Sequence, residues 1–160
     1  MLETVTGADA CRIRFRNLPY HKVAEFAVRV DAAKGEIILV LDHDVEAAGG
    51  FHSGECLVGI EPHQTVLLIR LLQRAVTRLP ETRQGPNVIG RVAFNWSDLG
   101  TQMSNDSGIT LVAYSERVTL GISLGTESSS EPYLAAFDYN TGGDLAVILS
   151  RGVSSLDPSQ

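Results

Sequence analysis

The densest run of chemically capable side chains is Leu41-Asp42-His43-Asp44-Val45-Glu46, followed by His52, Glu55, Cys56 and His63. Imidazole, thiolate and carboxylate at short range are what a transition metal requires, and Asp42, His43, Asp44 and His52 supply such groups. The spacing fits no metal motif: there is no HExxH, no CxxC and no further Cys/His pair at a standard offset, so no metal is expected. In an extended Asp-His-Asp the side chains alternate, and His43 points away from Asp42 and Asp44. The two aspartates then share a side, as paired carboxylates in acid/base work would. Asp42, His43, Asp44 and His52 are therefore the catalytic candidates, weighed against a plain polar strand end entering a loop.

The sequence holds no P-loop and no GxGxxG. Gly49-Gly50 lacks the further glycines and the following helix of a phosphate cradle. No cofactor is expected. The binding candidates are Arg70, Arg74 and Arg78, which form one helical stripe suited to an anion or an acidic partner, and the strand-end aromatics Trp96 and Tyr114. The competing expectation for the arginines is a solvated helix face, or pairing with acids from upstream.

Composition bounds the rest. The chain has 160 residues, 44% of them hydrophobic and 20% charged, which is ordinary globular usage and enough for one domain. We expect a single domain over residues 1–153 and a frayed tail over 154–160. The net charge is −6, which disfavours binding to nucleic acid or to an anionic membrane. No apolar run exceeds the five residues Ile37–Leu41, against the ~18 of a membrane span. The N-terminus lacks a basic start and an apolar core, so a soluble, acidic, cytoplasmic protein is expected, with Cys11 and Cys56 reduced. A disulfide between them stays open. Charge is uneven: residues 36–61 carry six acids and no Lys or Arg, whereas 62–91 carry five arginines and only Glu81.

The elements that must position these residues follow from periodicity. Cys11-Arg12-Ile13-Arg14-Phe15-Arg16 alternates strictly and predicts a half-buried strand. Residues 23–31 alternate again. A turn at 32–35, with Gly35 at positive φ, leads into Ile37–Leu41, a continuous apolar run suited to a strand covered on both faces. Irregular chain at 42–54 and a strand over 55–60 come next. Pro62 opens a helix that runs to about Leu79, where Pro80 stops it. Leu68, Ile69, Leu72, Ala75, Val76 and Leu79 form its apolar stripe, and Val66, Leu67 and Leu71 widen it. Strands are expected at 88–96, 109–114 and 118–124. A further hairpin of strands 133–139 and 145–150 is expected across Asn140-Thr141-Gly142-Gly143.

About nine strands and one long helix make an α+β fold: a mostly antiparallel, curved sheet packed on the helix 62–79. The element order is also compatible with a hot-dog-like arrangement. Arg91-Val92-Ala93-Phe94-Asn95-Trp96-Ser97-Asp98-Leu99 resembles the strand and loop in the C-terminal lobe of condensation-type and acyl-CoA-dependent acyltransferases. Those enzymes work through His-His-x-x-x-Asp-Gly, which Asp42-His43-Asp44-Val45-Glu46 does not match. The resemblance thus implies a cut-down, inactive relative and carries over no catalytic residue.

Two functions are carried forward. The first is a non-catalytic binding or protein-interaction domain, taking a protein partner or a small apolar ligand, with a homodimer through sheet edges as one form. The second is a small enzyme acting on an apolar or acyl-like substrate between helix and sheet. That reading requires His43, Asp44 or His52 beside a pocket walled by Trp96 or Tyr114.

Overall fold

A computed structural model describes residues 2–3, 9–17, 22–33, 35–43, 55–77, 86–93, 108–123 and 133–156. Five strands build a first antiparallel sheet in sequential order: β1 (Leu2–Glu3), β2 (Asp9–Asn17), β3 (Lys22–Asp31), β4 (Glu36–His43) and β5 (Glu55–Ile60). Helix α1 (Pro62–Val76) follows. Four more strands, β6 (Asn87–Ala93), β7 (Gly108–Ala113), β8 (Val118–Ser123) and β9 (Tyr133–Phe137), make a second antiparallel sheet, again in sequential order. Helix α2 (Tyr139–Leu156) ends the described chain. The α+β class and the antiparallel pairing are as expected. The single curved sheet on one helix is not: the described residues form two sheets and two helices, each sheet preceding a helix.

Alternation sets the first sheet as predicted. Ile13 and Phe15 are buried and Arg14 and Arg16 exposed. Phe26 and Val28 on β3, and Ile37, Leu39 and Leu41 on β4, complete the inner face. Val40 on β4 and its cross-strand partner Ala27 are buried on the opposite face, so the central strands are covered on both sides. The β3–β4 turn closes with the Gly35 amide donating to the Asp31 carbonyl at 2.8 Å, and Gly35 takes φ 68°. That region is open to glycine at no steric cost.

Helix α1 starts where Pro62 predicts. Glu61 is its N-cap without a side-chain capping bond, and the Thr65 hydroxyl donates to the Glu61 carbonyl at 2.9 Å. Thr65, Leu68, Ile69, Leu72 and Ala75 face inward, while Arg70 and Arg74 face solvent. Val66 and Leu71 are half-buried, but Leu67 is 47% exposed, so the expected widening of the apolar face stops short of it.

The hairpin expected over 133–150 is a strand followed by a helix. Asp138 decides this locally: its carboxylate accepts from the Thr141 amide at 2.8 Å, and its carbonyl accepts from the Gly142 amide at 3.1 Å. An aspartate N-cap of this kind satisfies amides that a helix start leaves without partners. Gly142, Leu145, Ala146, Ile148, Leu149 and Gly152 then fall on one buried helical face. Helix α2 continues to Leu156, three residues into the stretch expected to fray.

The helices are exchanged between the sheets. Helix α2, which follows the second sheet, lies on β2, β3 and β4 of the first. A Cβ at Gly152 would sit 3.2 Å from Ile37 Cδ1 and from Val28 Cγ1. Helix α1, which follows the first sheet, lies chiefly on β6 of the second, with Leu71 pressed against Gly90. The helices also pack on each other, and Val76 Cγ1 lies 3.1 Å from the Cβ position of Gly142. The expectation that α1 is the plug of a closing sheet is corrected accordingly. One cluster of buried residues joins both sheets and both helices.

Two predictions arise here. Gly152→Val adds branched carbons where one Cβ is already tight, so urea denaturation should show a loss of about 1–3 kcal/mol, typical of overpacking. Cys11 lies on β2 and Cys56 on β5, with β3 and β4 between them. Three strand spacings of ~4.8 Å place their backbones about 14 Å apart, beyond the ~7 Å a disulfide spans. Added reductant should leave the thermal midpoint unchanged.

Candidate functional site

An open groove of about 710 Å³ lies between the two helices. Gln73 and Val76 of α1 form one wall. Gly143, Ala146, Val147, Ser150, Arg151, Ser154 and Ser155 of α2 form the other. The α2 residues recur at each successive turn, so the groove follows one side of that helix for about three turns. The inward stripe of α2 is spent on the first sheet, and the groove is built from the flank beside it. Its floor is apolar through Val76, Ala146 and Val147, with Val147 itself 44% exposed. Its margin carries hydroxyls, an amide and the Arg151 guanidinium.

The arginine stripe of α1 is not part of the groove lining. Arg70 and Arg74 are exposed, one turn apart, and flank Gln73 in sequence. Neither has an ion-pair partner among the described residues. The expected pairing with upstream acids is therefore not seen within those residues. Arginines of the first sheet behave otherwise: Arg12 and Arg14 reach the Glu25 carboxylate at 3.6 and 3.9 Å. Leu67 lies on the same solvent-facing stripe of α1 as Arg70 and Arg74. Arg78 lies outside the described residues.

The catalytic candidates are placed only in part. Asp42 and His43 end β4, where the register sets Asp42 opposite Glu25 on β3 and Glu55 on β5, and His43 opposite Ala24. Three acidic positions thus form a row across three strands, a juxtaposition that pairing creates and local sequence does not display. Asp44 and His52 lie outside the described residues. No group of three or more His, Cys, Asp or Glu side chains able to hold a metal occurs among the described residues. His63 is exposed at the start of α1, with Nδ1 3.4 Å from the Glu61 carboxylate.

Tyr114 follows β7 at the turn into β8, away from the groove lining. Its carbonyl accepts a hydrogen bond from the Tyr139 hydroxyl, and the Arg117 guanidinium lies 4.5 Å above its ring. These contacts tie the β7–β8 turn to the first turn of α2. Trp96 lies outside the described residues, so the pocket walled by Trp96 or Tyr114 that the enzyme reading requires is not found among them. The expected strand 145–150 lies within α2.

At the sheet edge, Val88 on β6 is 70% exposed. A register shift between Val88 and Gly90 bulges the strand there, a feature that twists an edge away from further pairing. No helix among the described residues is long and apolar enough to cross a membrane. No protein-family description, curated protein or solved structure matches this chain.

Proposed function

We propose that this chain is a non-catalytic protein-interaction domain whose contact surface is the groove between α1 and α2. The observation that supports the reading is the groove itself: a concave, three-turn track along α2 with an apolar floor in which Val147 is exposed. An exposed apolar side chain within a concavity favours binding over simple solvation. Its described lining offers serine hydroxyls, an amide and a guanidinium, with no carboxylate, imidazole or thiol. That set can hold a ligand, but it lacks a proton-transfer pair or a nucleophile activated by a base.

The test is site-specific photocrosslinking in cells of the protein's own source. A photoreactive amino acid replaces Val147 in one variant and Val88 in another. A discrete adduct with another protein from position 147, and none from position 88, is the expected result. No adduct from position 147, or the same adducts from both positions, would overturn the reading.

A further inference from the structure

The two halves of the chain repeat one plan. Strands β2–β5 with α1 match strands β6–β9 with α2 in order and pairing. The middle connection spans four residues in each half, 32–35 and 114–117. A single acid, Glu61 or Asp138, joins the last strand to the helix. These acids stand seventy-seven positions apart. The carbonyl of each accepts from the amide four residues on, Thr65 at 2.9 Å and Gly142 at 3.1 Å. The same offset carries the inward residues Leu68, Ile69, Leu72 and Ala75 of α1 onto Leu145, Ala146, Leu149 and Gly152 of α2, all buried. It also carries Arg74 onto Arg151 and Val76 onto Val153.

Each half covers the other's sheet. Helix α2 of the second half lies on β2, β3 and β4, and α1 of the first half lies chiefly on β6. Phe137 crosses the same divide to reach the rings of Phe15 and Phe26. Residues 77–86 are the covalent connection between the halves. Contacts of this kind do not depend on both halves belonging to one chain. Two copies that trade halves make every one of them again, so the trade costs no packing. Only proximity favours the single chain, and a short connection supplies an effective concentration of about a millimolar.

We infer that the protein is a covalently joined pseudo-dimer that trades halves between two copies. In the resulting intertwined dimer, the first half of each chain is completed by the second half of the other. The groove is carried along: Gln73 and Val76 on its α1 wall, and Ala146 and Val147 on its α2 wall, then belong to different chains. The inference stands whether or not the groove binds a partner.

The full chain tests this with a photoreactive aliphatic amino acid at position 76, since Val76 Cγ1 lies 3.1 Å from the Cβ position of Gly142 on α2. Tagged chains carrying it are unfolded in urea together with untagged, unmodified chains and refolded at about 1 mM, close to the effective concentration of the connection. The monomer before unfolding provides the reference, an adduct from position 76 to α2 of the same chain. After joint refolding, roughly a third of the protein should run as a dimer. In that fraction position 76 should link to α2 of the untagged chain. Refolding at about 5 μM, far below the effective concentration, should return monomer alone. Tagged and untagged chains without the photoreactive residue give the dimer fraction by co-purification, so the result does not hang on the substitution. Absence of a dimer after joint refolding at the high concentration overturns the inference. So does a dimer whose adducts from position 76 stay within one chain, which is association through outer surfaces.

Discussion

A chain ending at Asp138 should lose the first sheet, although every strand of that sheet lies far upstream of the cut. Helix α2 buries Leu145, Ile148 and Leu149 completely, and each such side chain contributes about 1.5–3 kcal/mol. Their loss alone is comparable to the ~5–15 kcal/mol total of an ordinary domain. The cut also bares the face of β2, β3 and β4 on which α2 lies. Hydrogen exchange read strand by strand gives the decisive check. Protection should vanish in β2–β4 at least as completely as in β7–β9. Persistent protection of β2–β4 would show that α2 is not their cover. Leu149→Ala gives a milder version of the same test, costing about 2–5 kcal/mol and raising exchange first in the first sheet.

Phe137→Ala should be among the most damaging single substitutions. Phe15 and Phe26 stack within the first sheet at 4.8 Å and 19°. The Phe137 ring, from β9 of the second sheet, meets both edge-on at 5.7 and 5.5 Å. These are favourable aromatic geometries, and they sit where β2 passes β9. Phe137 is wholly buried, so truncation should cost about 3–5 kcal/mol. Phe137→Leu keeps most of the volume and should cost under about 2 kcal/mol. Chemical denaturation distinguishes the two. Equal losses would mean that the ring contacts themselves, rather than the volume, hold the sheets together.

Strands were legible wherever one face of a sheet is wet. The alternation Cys11 to Arg16 reads directly because Ile13 and Phe15 turn inward and arginines outward. Helix α1 was legible from Pro62 and the Leu68–Ile69–Leu72–Ala75 stripe. Helix α2 was not, for local reasons. Leu145-Ala146-Val147-Ile148-Leu149 is an uninterrupted apolar run with β-branched members, and it follows Asn140-Thr141-Gly142-Gly143, a combination that favours a hairpin. Helical period shows only when Gly152 is counted as a packing position, and that requires knowing how closely α2 approaches Ile37 and Val28. The Asp138 cap was the available signal. The α1 wall of the groove was therefore legible through Val76 in the expected apolar stripe, and the α2 wall was hidden in a segment read as strand. The row Glu25–Asp42–Glu55 was hidden for a different reason, because cross-strand register is set by pairing and not by neighbours in sequence.

The exchange of helices has a consequence for biosynthesis. Elongation proceeds at roughly 5–20 residues per second, so about ninety residues separating β5 from the buried part of α2 take roughly 5–20 s to translate. Throughout that interval the nascent first half carries the apolar faces of Phe26, Val28, Ile37 and Leu39 without the element that shields them. Its folding is thereby deferred until late in elongation, and a ribosome-associated holdase has a defined window and a defined surface on which to act.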